Sequence, residues 1–175
     1  MPPRNKYDRG EIVEAALRLT VERGIDAVTA RDVGAALGTS SKPVYTAFSS
    51  MNELKRAVLE AANARYEAFI SRQIAESEFP RYKALGMAYV RFAKEERELF
   101  KLLFMRDRHG VYGEEPTDRS NELAVETVSG QTGLSREDAT LFHLEMWVFV
   151  RGIATMIATS FLDWDGDTVS KMMTD

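Results

Sequence analysis

Residues 29–48, TARDVGAALGTSSKPVYTAF, decide the fold expected for the first third of this chain. Thr29 and Asp32 have the spacing of a capping box, so a helix is predicted to begin at Ala30. Gly38 is predicted to end that helix, because glycine adopts the left-handed conformation of a helix C-terminus without strain. The first half of the stretch therefore predicts one short helix followed by a tight turn.

The second half of the stretch predicts another short helix. Ser40 can cap this helix, and Pro43 suits its first turn, where a missing N–H group leaves no hydrogen bond unmade. Phe48 is expected to point inward and anchor the helix. Two short helices joined by a tight turn are the layout of a helix-turn-helix, whose second helix enters the major groove of DNA.

The start of this second helix carries most of the residues that are expected to meet DNA. Its side chains are short apart from one lysine, which would let the helix end sit deep in a groove: Ser40, Ser41, Lys42, Pro43 and Val44. Lys42 can reach a guanine edge or a phosphate, and the hydroxyl of Tyr45 on the flank can donate to a phosphate. A helical hairpin that binds no ligand is the alternative interpretation.

The wider segment 12–62 resembles the DNA-binding domain of the TetR/AcrR family of repressors. The resemblance rests on several short pieces taken together: the Ala15-Ala16 pair, ERG at 22–24, TARDV at 29–33, Gly38-x-Ser40, Tyr45-x-x-Phe48 and Glu53-Leu54. It implies a helix-turn-helix domain over residues 1–56, whose first helix begins near Asp8 and points Ile12, Ala15, Ala16 and Leu19 inward.

The same resemblance extends the set of expected DNA contacts to Thr29 and Arg31 near the start of the second helix of the domain. Met51 departs from the family pattern, because a lysine that contacts phosphate commonly stands at the start of the fourth helix. Lys55 or Arg56, one turn later, can partly replace that lysine, and Lys55 completes the predicted DNA-binding residues.

Composition limits the other functions open to the chain. The 175 residues are 45% hydrophobic, enough to bury a core, and include no cysteine, which excludes disulfides, thiolate metal sites and a cysteine nucleophile. No catalytic residue, metal site or cofactor is predicted, since the sequence lacks zinc-protease, nucleophile-elbow and phosphate-loop motifs. No apolar run approaches the ~20 residues of a membrane span, and no signal peptide is recognised, so a cytoplasmic protein without membrane contact is expected.

The net charge of −4 is unevenly distributed along the sequence. Residues 1–56 contain nine basic and seven acidic side chains, a balance of +2, and the remaining residues carry −6. The acidic excess therefore lies outside the proposed DNA-binding domain, which is the direction expected for a protein that binds phosphate groups.

Beyond residue 56 the pattern stays helical, so an all-α fold is predicted, with a three-helix helix-turn-helix domain followed by a helical regulatory and dimerisation domain over 57–175. The expected helices cover about 51–76, 82–94, 96–105, 118–132 and 136–162, with a polar loop over 107–116 and a last short helix capped by Asp167. The pieces 89–107 and 147–156 resemble, less specifically, the C-terminal ligand-binding domain of the same family, in which Trp147 and Gly152 would mark close helix packing.

An apolar ligand site is one interpretation of the methionines and aromatics in this second part. The residues expected to line it are Phe69, Met87, Phe92, Leu103, Phe104, Met105, His143, Trp147 and Val150. Soft methionine and aromatic side chains suit loosely specified apolar ligands. An ordinary packed helical core is the alternative, and in that case His143 is a core or interface residue rather than a ligand contact.

The long eighth helix, LFHLEMWVFVRGIATMIATSFL, is apolar almost all round and must be covered on several faces. A homodimer is therefore predicted, which would bind a double-stranded, pseudo-palindromic DNA operator. The resemblance implies a repressor that a small apolar ligand releases through a tilt of helix four, expected to be the single connection between the two parts. The alternative is a DNA-binding regulator with a filled core, controlled by a protein partner or by its own abundance.

Overall fold

The computed structural model describes residues 7–106 and 117–174, and within these ranges it contains α-helices, one short 3-10 turn at Ile25–Ala27 and no strand. The helices are α1 (Arg9–Arg23), α2 (Ala30–Ala36), α3 (Lys42–Ala47), α4 (Met51–Ala75), α5 (Arg81–Glu95), α6 (Arg97–Phe104), α7 (Thr117–Thr132), α8 (Arg136–Ala158) and α9 (Gly166–Met172). The predicted all-α class is confirmed. The polar loop expected over 107–116 lies outside the described residues.

The chain divides into two compact units. The first consists of Met1–Tyr66 and Glu96–Gly113, and the second of Glu67–Glu95 and Glu114–Asp175. This division differs from the boundary expected at residue 56, because it falls inside α4 and assigns α6 to the first unit. The chain also passes between the units where α5 meets α6, so the expectation that α4 alone joins the two parts is wrong.

The first unit is organised around α1, which packs against α2 and α6, while α2 packs against α3. Ile12, Ala15 and Ala16 are fully buried, as predicted from their helical spacing. Thr20 is also fully buried, and its hydroxyl donates a 2.8 Å hydrogen bond to the carbonyl of Ala16 one turn earlier. This bond satisfies the hydroxyl inside the core, where an unpaired polar group would be destabilising.

The second unit is built on α5 and α8, its most extensive helix pair; α7 packs against both helices and α9 against α5. Small residues on α5, including Ala84 and Ala88, are buried. Gly86 faces α8 and α9, since a Cβ atom there would lie 3.3 Å from the sulfur of Met173 and 3.6 Å from Val150. The ammonium of Lys83 donates a 2.9 Å hydrogen bond to the carbonyl of Ser170, which ties α5 to α9.

Two helix ends in the second unit differ from the sequence-based expectation. α8 ends at Ala158 rather than near residue 162, because Ser160 adopts a φ of +58° and the N–H of Phe161 donates to the carbonyl of Met156 at 2.9 Å. This is a Schellman-type end formed by a serine. α9 is capped by Asp165 rather than Asp167: its carboxylate accepts a 2.7 Å bond from the N–H of Thr168, which lowers the pKa of Asp165.

Among the described residues, α8 is the one helix long and apolar enough to cross a membrane by length and composition. Its most apolar stretch has a mean hydropathy of 1.4, and 28% of that stretch is buried. The expectation that no segment approaches this limit is therefore wrong for α8. The reason is its composition: between Ala139 and Ala158 only Glu145 and Arg151 are charged.

Candidate nucleic-acid interface

The α2–turn–α3 segment forms the helix-turn-helix predicted from residues 29–48. The hydroxyl of Thr29 accepts a 3.1 Å hydrogen bond from the N–H of Asp32 and so caps the start of α2. α2 ends at Ala36, and Gly38 follows with a φ of +67°, a conformation that favours glycine. Both the start and the end of this helix are therefore confirmed.

Gly34 determines how closely the turn approaches α2. A Cβ atom at this position would lie 2.5 Å from the carbonyl oxygen of Ser40, a distance that no side chain can adopt without moving the backbone. The glycine thus allows the backbone that leads into α3 to lie directly against α2. The position of α3 depends on this contact.

The start of α3 differs in one detail from the prediction. Ser41, not Ser40, is the N-cap residue, and its side chain makes no capping hydrogen bond. The hydroxyl of Ser40 accepts only a long bond of 3.4 Å from the N–H of Lys42. Pro43 lies in the first turn as predicted. The first turn is therefore weakly capped by side chains.

The side chains of α3 divide into an exposed and a buried face. Tyr45 is 63% exposed, Lys42 is also exposed, and Phe48 is buried as predicted. Val44, expected among the exposed DNA contacts, is only 1% exposed, so that part of the prediction is wrong. The reason is its helical phase: Val44 lies one turn before Phe48 and shares its inward face.

The other predicted DNA contacts vary in exposure. Ser40, Thr29 and Arg31 are exposed, whereas Ser41 and Lys55 are half-buried, as is Pro43. A residue that contacts DNA must be exposed in the free protein. The structure shows this exposure for five of the predicted contacts: Lys42, Tyr45, Ser40, Thr29 and Arg31. Their role in binding DNA stays a prediction.

Glu53 links the start of α4 to both α1 and the end of α3. Its N–H donates a 3.2 Å hydrogen bond to the hydroxyl of Ser50, the residue before α4. Its carboxylate accepts bonds from the N–H and the hydroxyl of Ser49, at 2.8 and 2.7 Å, and pairs with the guanidinium of Arg9 at 2.8 Å. These donors, Ser49 first, stabilise the charged form and lower the pKa of Glu53 to about 2.

Arg9 was not identified from the sequence as a residue of this site. Its partners lie far from it along the chain, and no local spacing connects them. The one signal in the sequence is its place beside Asp8, whose capping box with Glu11 fixes the start of α1. That box fixes the backbone at Arg9 but gives no indication of what the guanidinium binds.

The nine residues predicted to line a ligand site belong to different units. Leu103, Phe104 and Met105 are in the first unit, where the ring of Phe104 packs against Tyr66 and Phe100 with centroids 5.1 Å apart in each case. The other members lie in the second unit: Phe69, Met87, Phe92, His143, Trp147 and Val150.

In the second unit, several of these residues pack against protein neighbours. Phe69 and Phe92 are both buried and meet edge to face with centroids 5.3 Å apart. His143 is buried, and its Nδ1 shares a 3.0 Å hydrogen bond with the hydroxyl of Tyr82. Burial lowers the pKa of His143 and raises that of Tyr82 to about 12. Trp147 is 39% exposed, with the guanidinium of Arg151 5.2 Å from its ring centroid.

Within the described ranges, no group of three or more acidic or histidine side chains could hold a metal ion. The exposed side chains of the helix-turn-helix present hydroxyls and a cation, among them Ser40, Lys42 and Tyr45. These groups suit contact with phosphates and base edges.

Two family profiles match the chain. One, described as bacterial regulatory proteins of the tetR family, covers residues 12–58, and the other, described as a tetracyclin repressor-like C-terminal domain, covers residues 82–174. The second match alone spans more than half of the chain. The chain belongs to the TetR family. This confirms the resemblance found in the sequence, and it makes the protein a TetR-family transcription regulator with a DNA-binding helix-turn-helix.

Several solved structures share the fold of this TetR-family regulator. The multidrug binding protein EbrR in complex with imidazole is 17% identical with a TM-score of 0.62, over 98% of this chain and 92% of its own. A TetR variant from Acinetobacter baumannii AYE in complex with minocycline is 20% identical with a TM-score of 0.58, over 96% and 92%. AibR in complex with isovaleryl coenzyme A and operator DNA is 17% identical with a TM-score of 0.60, over 93% of each chain. No curated protein matches the sequence.

Proposed function

We propose that this TetR-family regulator is a homodimeric repressor that binds a pseudo-palindromic operator through α3 and leaves it when a small apolar ligand binds. The observation that carries the DNA-binding part is the two-faced character of α3. Lys42 and Tyr45 are exposed, while Val44 and Phe48 are buried and hold the helix in place. A helix anchored on one face and open on the other is suited to lie in a major groove.

The distribution of charge supports the same surface. Residues 1–56 carry a balance of +2, in contrast to −6 for the rest of the chain. Attraction to phosphate would therefore favour the helix-turn-helix over the remainder of the protein. The contacts proposed at this surface are Thr29, Arg31, Ser40, Ser41, Lys42, Pro43, Tyr45 and Lys55.

The exposed apolar side chains of α8 support the homodimer. Within the single chain several large ones are open to solvent: Leu141, Phe142, Leu144, Trp147, Val148 and Phe149. A patch of this kind on a helix favours burial by another protein surface. A second copy of α8 would cover it by two-fold symmetry, and would set two recognition helices roughly 34–36 Å apart, or somewhat more, to match half-sites on DNA.

The proposed control by ligand rests on the family and on what its members bind. EbrR, the A. baumannii TetR variant and AibR were each solved with a small molecule, and AibR with operator DNA as well. In this chain the ligand would favour a state that binds DNA poorly, a shift between two populations. The signal can pass along α4 and through the junction of α5 and α6, since both connect the units.

A regulator with a filled core is the second candidate, and two contacts favour it. Phe69 and Phe92 pack edge to face, and His143 is hydrogen-bonded to Tyr82, so these predicted ligand contacts already have protein partners. In that case a protein partner or the abundance of the regulator would control DNA binding. Under either candidate we propose a cytoplasmic protein that catalyses no reaction.

Selection from a pool of random duplexes tests the DNA-binding part. The protein should enrich duplexes with two inverted half-sites, and should bind them as two chains per duplex. Enrichment of a single half-site, or one chain per duplex, would contradict the homodimer. Recovery of no preferred sequence would contradict the operator itself.

The ligand part requires a second measurement on the selected duplex. A panel of apolar and amphipathic compounds is added to the complex, and release of labelled DNA is followed by fluorescence anisotropy. Release by a compound that also raises the unfolding temperature of the free protein would support ligand control. A complex that none of the panel dissociates would favour the filled-core candidate.

A further inference from the structure

One contact joins Tyr7, which precedes the N-cap residue of α1, to the end of α2. The hydroxyl of Tyr7 donates a 2.6 Å hydrogen bond to the carbonyl of Leu37. Leu37 is the C-cap of α2, where carbonyl groups have no partner inside the helix. Tyr7 therefore fixes the end of α2, next to the turn that leads into α3.

The second contact joins the first residue of α1 to the end of α3. One Nη of Arg9 donates a 2.9 Å hydrogen bond to the carbonyl of Ala47, the last residue of α3. The guanidinium also lies 4.0 Å from the ring centroid of Phe48, the buried anchor of that helix. A cation over an aromatic face is attracted to it. Arg9 thus fixes α3 at its C-terminal end.

The third contact holds Arg9 itself in position. Its other Nη pairs with Glu53 at 2.8 Å, and Glu53 is also held by the N–H and hydroxyl of Ser49. Ser49 directly follows Phe48 in the chain. The carboxylate of Glu53 therefore connects the backbone that leaves α3 to Arg9, which binds the last carbonyl of that helix. Its low pKa keeps the carboxylate charged throughout the physiological range.

From these contacts we propose that Tyr7, Arg9 and Glu53 form a clamp that positions the recognition helix for DNA. The clamp joins the start of α1 to the ends of α2 and α3. DNA affinity then depends on three side chains that act through the orientation of α3 rather than through their own contacts with DNA. The inference rests on the proposed DNA-binding function and adds the residues that prepare its recognition surface.

Charge gives the clamp a distinctive signature. If Glu53 affected DNA only through its negative charge, removing that charge would strengthen binding to phosphate. As part of the clamp, Glu53 holds Arg9 and Ser49, and its loss frees α3 to reorient. The two roles therefore predict opposite signs for Glu53→Gln, a substitution that keeps the shape of the side chain.

The test measures affinity for the selected duplex, or for a mixed-sequence duplex if none is selected, using four variants of the full chain. Glu53→Gln and Arg9→Lys should each weaken binding about threefold, the effect expected when an exposed, well-oriented ion pair is broken. Arg9→Lys retains the charge but replaces the planar fork, whose two Nη atoms bind Ala47 and Glu53 separately, with a single nitrogen. Tyr7→Phe changes no charge and should also weaken binding. Glu60→Gln, which removes an exposed carboxylate from the same helix, is the control and should leave affinity unchanged or slightly higher.

Hydrogen exchange of the free variants provides a readout independent of DNA. In the clamp variants exchange should be faster over residues 42–48, where the N–H of Phe48 is bonded to the carbonyl of Val44 at 2.9 Å, and unchanged over α1. Equal acceleration throughout the first unit would overturn the clamp, because it would indicate a general loss of stability. Tighter binding by Glu53→Gln, or full activity of Arg9→Lys, would also overturn it.

The failure of the proposed function can be distinguished from the failure of the clamp. If the wild-type protein binds no duplex, the proposed function has failed and exchange alone decides about the clamp. Faster exchange confined to residues 42–48 would then still support it, and unchanged exchange would overturn it.

Discussion

At the scale of single residues, the proposed DNA interface depends on two exposed side chains. Lys42 and Tyr45 project from a helix of which Val44 and Phe48 form the buried face. Because the exposed pair makes little contact with the core, changing it should alter binding without unfolding the protein. The buried pair should show the reverse, a loss of stability on truncation.

Lys42→Ala and Tyr45→Phe should each weaken operator binding by about 1 kcal/mol, roughly fivefold, through the loss of one polar contact. Lys42→Ala should also lower the salt dependence of binding by about one ion if the lysine contacts a phosphate. Fluorescence anisotropy at several salt concentrations measures both effects, and circular dichroism checks folding. Lys171→Ala, an exposed lysine of α9, is the matched control. Unchanged affinity in both test variants would remove α3 as the recognition helix.

His143 allows a second prediction at the residue scale, on pH. Burial lowers its pKa in the folded state, so between that value and about 6.5 the unfolded chain binds more protons than the folded one. The contribution of His143 to the free energy of unfolding is therefore fully present above pH 6.5 and declines as the pH falls. The drop in unfolding temperature between pH 8 and pH 5 should be smaller in His143→Asn than in the wild type. An equal drop in both proteins would show that His143 does not contribute.

At the scale of elements, the helix-turn-helix depends on one close backbone contact. Gly34→Ala should destabilise the protein by about 1–3 kcal/mol, the usual cost of an overpacked site, because its Cβ would meet the carbonyl of Ser40. Gly130→Ala in α7 is the control: among the described residues nothing lies within 4 Å of a Cβ there, so it should stabilise by about 0.4–1 kcal/mol. Thermal unfolding measures both variants. A neutral Gly34→Ala would mean that the turn can move away from α2.

The sequence predicted the ends of single helices better than it predicted how the helices pack. A capping residue and a glycine predicted both ends of α2, because these signals act within four residues. The end of α8 escaped prediction, since a serine rarely adopts the positive φ that Ser160 has. The burial of Val44 was missed because it follows a run of short or polar residues, 40–43, that resembles an exposed segment.

At the scale of the whole molecule, contacts between residues far apart in the chain could not be predicted from the sequence. α6 joins the first unit through its packing on α1, and Arg106, just after α6, pairs with Asp26 at 3.0 Å. The clamp residues Arg9 and Glu53 are likewise brought together only by folding. No local spacing encodes such pairs, so the division into units and the positioning residues had to come from the structure.

The proposed homodimer gives a prediction at the same scale. Gly152→Leu should leave the single chain folded, since nothing among the described residues lies within 4 Å of a Cβ at Gly152. If a second α8 packs there, leucine should disrupt the dimer. Sedimentation velocity at micromolar concentration measures the ratio of dimer to monomer. Gly130→Leu, at another open helical glycine, should leave that ratio unchanged, and a stable Gly152→Leu dimer would contradict close packing at this position.

Specific DNA binding by two chains is the claim on which the rest of the account depends. The most direct measurement titrates the wild-type protein and a Lys42→Ala/Tyr45→Phe double variant against a labelled duplex from the selection, in the presence of scrambled competitor. The account predicts that the wild type binds as two chains per duplex and resists the competitor, while the folded double variant does not. Two results would contradict recognition by α3. One is that scrambled DNA displaces the wild-type protein as effectively as the selected sequence does, and the other is that both proteins bind the duplex equally.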